Sequence, residues 1–159
     1  MGAATPTSLP DENGTIRLTI GSRLEFLSMV HALIQGISRQ FELDEDTENA
    51  LLIAVIEAGT NAIQHGHGHD GVTPVDLRFE LLPDRLRVTV HDSGPGFRPP
   101  AESPDMTSPE HLLDQRGRGI FIMRACMDRV DFDFSGGGTT VRLEKLAPPA
   151  PNGGDPPGA

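Results

Sequence analysis

The hydrophobic positions of this chain change period several times, and each change marks a new element. Ile16, Leu18 and Ile20 alternate with polar residues, which predicts a short strand over residues 15–20. From Leu24 the spacing becomes three and four. Leu24, Leu27, Val30, Ile34 and Ile37 make one helical stripe, with Ser22 and Glu25 as a capping pair. Asp44 or Asp46 can cap a second helix, which stops at the glycines around His65, His67 and His69. Period two then returns. Val75, Leu77, Phe79 and Leu81, then Leu86, Val88 and Val90, flank Pro83-Asp84 and predict an antiparallel hairpin. Pro99, Pro100, Pro104 and Pro109 break up the stretch to Arg116, which predicts a long functional loop. A third helix is expected to open after Gly117-Arg118-Gly119 and run through Ile120, Met123, Cys126 and Met127. Two strands, 130–134 and 140–146, flank a glycine run ending at Thr139. This order suits an α/β sandwich with a mixed or mainly antiparallel sheet and helices on one side.

The second helix carries an anomaly in its pattern. At about 100° per residue, Ala50, Ala54, Glu57, Asn61 and Gln64 fall on one narrow stripe, while Leu51, Leu52, Val55, Ile56, Ala58, Gly59, Ala62 and Ile63 fill the other side. Glu57 and Asn61 stand one turn apart and point the same way. A carboxylate and a carboxamide there need a ligand, a metal or water to satisfy them; a plain solvated face is the other reading. Gly59 is expected to loosen this helix.

Composition narrows the chemistry. The 159 residues, 36% of them hydrophobic, fit one domain with a modest core. Residues 1–14 and 147–159, rich in Pro, Gly and small residues, are expected to be flexible tails around a working domain at 15–146. A formal charge of -10 argues against direct nucleic-acid binding. No apolar run approaches the ~20 residues of a membrane span, and the first residues lack a signal-peptide pattern, so no membrane partner and a cytoplasmic location are expected. Cys126 is the single cysteine, which leaves no internal disulfide. Lys145 is the single lysine. A P-loop or a kinase strand lysine is thereby excluded, and any phosphate must be held by Arg, backbone N–H groups and a metal.

Three further sites sit at element ends. Asp92 closes a strand, and Gly94 and Gly96 after it let the backbone turn and let a flat ligand approach. A buried carboxylate accepts hydrogen bonds only, so it selects the amine of adenine over the carbonyl of guanine. Gly117-Arg118-Gly119 at a helix start offers N–H groups and dipole to an anion, and Arg116 and Arg118 add charge. The Thr139 hydroxyl after the glycine run is a donor that could reach a phosphate. Each segment alone also reads as an ordinary turn.

Taken in order, Glu57 to Asn61, Asp92-Ser93-Gly94-Pro95-Gly96, Gly117-Arg118-Gly119 and Gly138-Thr139 resemble the four ATP-binding boxes of the GHKL superfamily, most closely its bacterial anti-sigma-factor serine/threonine kinases. The resemblance spans about residues 15–146. It implies a Bergerat-type sandwich with ATP and Mg²⁺ held between the helices and a lid at about 97–116. By position, Asn61 would be the Mg²⁺ ligand, Glu57 the general base and Asp92 the adenine anchor. It further implies a STAS-domain anti-anti-sigma factor as protein substrate and a sigma factor as sequestered partner, and it allows a homodimer. Three rivals stay open: a binder without turnover, an ATP-binding module of a histidine-kinase-like system, and a divalent-metal site at His65, His67 and His69. For the second, His31 lacks the acidic neighbour expected beside a phospho-accepting histidine.

Overall fold

The structure is a computed structural model that describes residues 14–65, 70–95 and 115–146, without the side chains of Gln115 and Arg116. The expected tails at 1–13 and 147–159, most of the expected lid, Gly96, His67 and His69 lie outside the described residues. In chain order come β1 (Thr15–Gly21), a 3-10 turn (Leu24–Phe26), α1 (Leu27–Gln40), α2 (Glu45–His65), β2 (Pro74–Leu81), β3 (Arg85–Asp92), α3 (Gln115–Cys126), β4 (Arg129–Asp133) and β5 (Thr139–Leu146). The strands form one sheet in the order β1-β2-β3-β5-β4. All four pairings are antiparallel.

Strand alternation explains why the helices occupy one face. Leu18 and Ile20 of β1, Val75, Leu77 and Phe79 of β2, Leu86, Val88 and Val90 of β3, and Val141 and Leu143 of β5 are buried. Their neighbours on the other face are polar. The helices cover the apolar side with Val30, Ile34 and Ile37 from α1, Leu51, Val55 and Ile63 from α2, and Ile120 and Met123 from α3. Each such side chain contributes about 1.5–3 kcal/mol on burial. No helix among the described residues is long and apolar enough to cross a membrane.

Local expectations hold unevenly. Asp44 caps α2, its Oδ1 accepting from the Thr47 N–H at 2.6 Å. Ser22 does not cap a helix: it is buried, and its hydroxyl donates to the Thr73 carbonyl oxygen in the loop before β2. A 3-10 turn precedes α1 instead, and Leu24 is left 45% exposed outside the expected stripe. Gly59 serves packing. A Cβ there would come within 2.8 Å of Leu27 Cδ2, so the glycine lets α1 lie close on α2.

The α2 pattern needs the largest correction. The stripe is not a plain solvated face set against one apolar side, since Ala54 and Asn61 on it are buried while Ile53 is 47% exposed. Helix α2 is flanked by α1, by α3 and by the sheet, so the periodicity of one helix could not tell which face is open.

Candidate functional site

Period two in β3 carries past the hydrophobic residues. Leu86, Val88 and Val90 face the helices, and Asp92, two positions further, falls on the same buried side at 8% exposure. One of its oxygens, Oδ1, accepts from the Gly94 N–H at 2.9 Å, which turns the chain away from the strand end. The same logic runs back along β5. Leu143 and Val141 lead to Thr139, which is buried and lies directly opposite Asp92 in the register.

Thr139 was expected at the end of the glycine turn, where it could reach a phosphate. It is the first residue of β5 and lies directly opposite Asp92 in the register. Both line a cavity of about 10 Å³ with Asn61, Ala58, Ala62, His65, Val90, Val141 and Phe132. That space holds about one water, so a purine would enter only with displacement of the surrounding side chains. Gly138 closes the strand end from behind. Its φ is +84°, and a Cβ there would lie 1.9 Å from the Asp92 carbonyl oxygen, so only glycine fits.

A second cluster forms where α2 meets α3. Asn61 is buried and Glu57 half-buried, and both reach toward Gly119. A Cβ on Gly119 would stand 3.1 Å from Glu57 Oε2 and 3.2 Å from Asn61 Nδ2. The missing side chain is what lets the two polar groups approach the α3 backbone. Asn61 Nδ2 finds no hydrogen-bond partner among the described residues, although it is buried. Such a group costs about 1–3 kcal/mol when left unsatisfied. Its amide is therefore free to turn toward a ligand or to offer its oxygen to a hard cation.

Helix α3 begins at Gln115, before the glycines rather than after them. Gly117-Arg118-Gly119 therefore lies within its first turn and a half, Gly117 and Gly119 buried and Arg118 exposed. The glycines have a packing reason, seen at Gly119, beyond conformational freedom. The first turn carries the positive end of the helix dipole, a setting that suits an anion.

Asn61 connects the two clusters: it lines the Asp92 cavity and also faces Gly119. The Asp92 carboxylate, the Asn61 amide and Glu57 beside the start of α3 thus provide both donors and acceptors. A metal ion bound there would rest on Asn61 and on ligand oxygens, because no three His, Cys, Asp or Glu residues come together among the described residues. A larger apolar groove of about 570 Å³, near Phe41, Leu82 and Leu146, lies at the opposite end of β3 and β5 and shares none of these groups. Of the residues singled out in the sequence, Glu57, Asn61, Gly119, Asp92, Gly94 and Thr139 are brought to this one side of α2 and the adjoining strand ends. Val90, Phe132 and Val141 were not singled out, since hydrophobic strand residues look alike until the cavity is formed.

Comparison with known proteins agrees with this architecture. Residues 20–145 match the family described as histidine kinase-like ATPase domain. The serine-protein kinase RsbW of Bacillus velezensis is 33% identical over 135 residues, covering 82% of this chain and 84% of that protein. RsbW of Bacillus subtilis is 31% identical over 135 residues with the same coverage. Among solved structures, the RsbU and RsbW domains of Rv1364c from Mycobacterium tuberculosis superpose with a TM-score of 0.63 at 19% identity. That likeness covers 86% of this chain and 33% of the longer one, and it speaks for the fold.

Proposed function

This chain belongs to the histidine kinase-like ATPase family, and we propose that it is an ATP- and Mg²⁺-dependent serine/threonine protein kinase that also acts as an anti-sigma factor. The observation that carries the reading is the pair Glu57 and Asn61 facing Gly119, with the Asn61 amide buried and unsatisfied. Relatives named serine-protein kinase support the reaction type.

In this reading the adenine amine donates to Asp92, and Thr139 stands beside the base. Asn61 presents its side-chain oxygen to Mg²⁺, which when bound neutralises phosphate charge. The first turn of α3, with Arg118 and Arg116, holds the phosphate oxygens. Glu57 accepts the proton of the substrate hydroxyl as that oxygen bonds to the γ-phosphorus and the bond to the β-phosphate oxygen breaks, releasing ADP. Phosphoryl transfer asks mostly for positioning and charge compensation, which this set supplies. The protein substrate is a STAS-domain anti-anti-sigma factor, and the sequestered partner is a sigma factor. The test mixes the protein with γ-labelled ATP, Mg²⁺ and a STAS-domain partner. Label on a serine or threonine of the partner is the expected result; nucleotide bound without transfer would leave a binder, and label on a histidine of this chain would move it to the histidine-kinase reading.

A further inference from the structure

The cavity at the Asp92 end of β3 and β5 is far smaller than the base that the proposed function brings to it. A space of about 10 Å³ holds one water, so a lining group must give way before adenine can lie against Asp92. Burial narrows the choice. All but two of the liners are buried, from Ala58 on α2 to Val90 on β3 and Val141 on β5. The two that are half-buried are His65, at the end of α2, and Phe132, on β4.

Alternation in β4 turns Phe132 to the helix side of the sheet, opposite Val141 in the register. Next to it Asp131 takes the other face and pairs with Arg129 Nε at 2.6 Å. Asp133 accepts from the Ser135 N–H at 2.8 Å and from the Ser135 hydroxyl at 2.6 Å, so the backbone on both sides of Phe132 is held. The side chain, not the strand, is therefore the movable part. Among the described residues β4 pairs with β5 alone, and Phe132 is half-buried where Phe79, on the interior strand β2, is fully buried. Its ring does pack against the core, so turning it away exchanges those contacts for others. A base put in its place keeps the apolar liners covered, since a purine is also a flat ring of low polarity on its faces. His65 has a smaller and more polar ring, and moving it vacates less space.

Granting the nucleotide reading above, we propose that Phe132 is the plug of the base pocket: in the free protein its ring takes up the space that adenine needs, and the nucleotide binds by displacing it. Adenine then lies against Val90 and Val141 and presents its amine to Asp92. Apparent affinity is lowered by the plug, because only molecules with the ring turned away can take up a base.

Calorimetric titration of the full chain with ATP and Mg²⁺ compares wild type with Phe132→Ala, Phe132→Leu and Val130→Ala, the last on the same strand and side but outside the cavity. Phe132→Ala should bind about tenfold more tightly, as follows if the open state is populated at about 10% or less. Phe132→Leu, which keeps most of the apolar burial and so guards against a variant that fails to fold, should fall between the two. Val130→Ala should match wild type. The chain has neither Trp nor Tyr, so Phe132→Trp supplies a single reporter, whose emission should shift to longer wavelength and become open to acrylamide quenching when ADP is added. Equal or weaker binding by both Phe132→Ala and Phe132→Leu overturns the proposal. So does equal tightening by Val130→Ala, tightening by His65→Ala in place of Phe132→Ala, or nucleotide bound to Phe132→Trp with unchanged emission. In each of these cases a wild type that binds ATP leaves the nucleotide reading standing; a wild type that binds none removes both.

Discussion

Strands β3 and β5 pair along their full length, yet their two ends are built for different purposes. At the end where Arg85 opposes Leu146, the Glu144 carboxylate is 5% exposed and lies 3.0 Å from Arg85 Nη1 and 2.7 Å from Arg87 Nε. Arg85 holds Asp84 too, at 2.8 Å. The Arg87 hydrogen bond, opposed by burial and aided by Arg85, pulls the Glu144 pKa below its usual range, and both carboxylates push that of Arg85 up. At the end where Asp92 opposes Thr139, polar groups are buried beside an amide nitrogen with no partner among the described residues. Satisfied charge holds the sheet at one end, while the other buries a polar group that finds no partner among the described residues. A fold stable by about 5–15 kcal/mol tolerates one such unsatisfied group, and the place where it is tolerated is informative.

Substitutions can test this contrast, and the largest expected effect lies at the Asp92 end. Glu57→Gln should lower phosphoryl transfer by about 10² to 10⁴-fold while nucleotide binding and unfolding stay near wild type. Unimpaired label transfer by this variant would remove Glu57 as the base. Gly138→Ala forces a side chain onto the Asp92 carbonyl at a φ of +84°, so urea unfolding should show a loss of about 3 kcal/mol together with weaker nucleotide binding. Wild-type behaviour would mean that the β4–β5 turn does not shape the site.

Asp92→Asn should weaken ATP by about tenfold to a hundredfold and reduce the preference for adenine over guanine, because a carboxamide both donates and accepts. Calorimetric titrations with ATP and GTP read both changes, and an unaltered preference would make Asp92 a turn residue only.

At the other end of the strands the expected effect is on stability alone. Glu144→Gln should cost about 1.5 kcal/mol at neutral pH, less than a fully buried pair because both arginines keep some solvent contact. The folded-state pKa of Glu144 lies below its unfolded value near 4.5, so its contribution is complete above that pH and is lost as pH falls through the folded value. Stability curves of wild type and variant should therefore converge in acid; parallel curves down to pH 2 would show that the ion triad contributes nothing. Smallest of all, Gly59→Ala gains helix propensity of about 1 kcal/mol and asks the Leu27 side chain to shift, for a net change within about 0.5 kcal/mol. A loss above about 2 kcal/mol would show that α1 cannot move.

What could be read from the chain alone follows from short-range rules. Period two located β1, β2 and β3 within a residue or two, since one side of each strand is buried and the other wet. Asp44 was legible as a cap because a carboxylate three residues before Thr47 meets its N–H locally. The order of polar and glycine boxes was legible as well, and it pointed to the family that the comparisons then established. Other features failed for a common reason. Ser22 bonds to Thr73 and Gly59 is matched to Leu27, partners 51 and 32 positions away along the chain that no local pattern announces. The polar stripe of α2 was set against a single apolar side, but a helix enclosed by two others and a sheet has no single apolar side.

The sequence by itself determined which segments become strands and helices, and that a carboxylate and an amide share one turn of α2, because these depend on neighbours a few residues apart. Only the tertiary structure decided that Asp92 and Thr139 form a cross-strand pair, that Gly138 presses on the Asp92 backbone, and that Gly119 admits Glu57 and Asn61. Those contacts join segments tens of residues apart, and they exist only once hydrophobic burial has brought α2, α3 and the ends of β3 and β5 together.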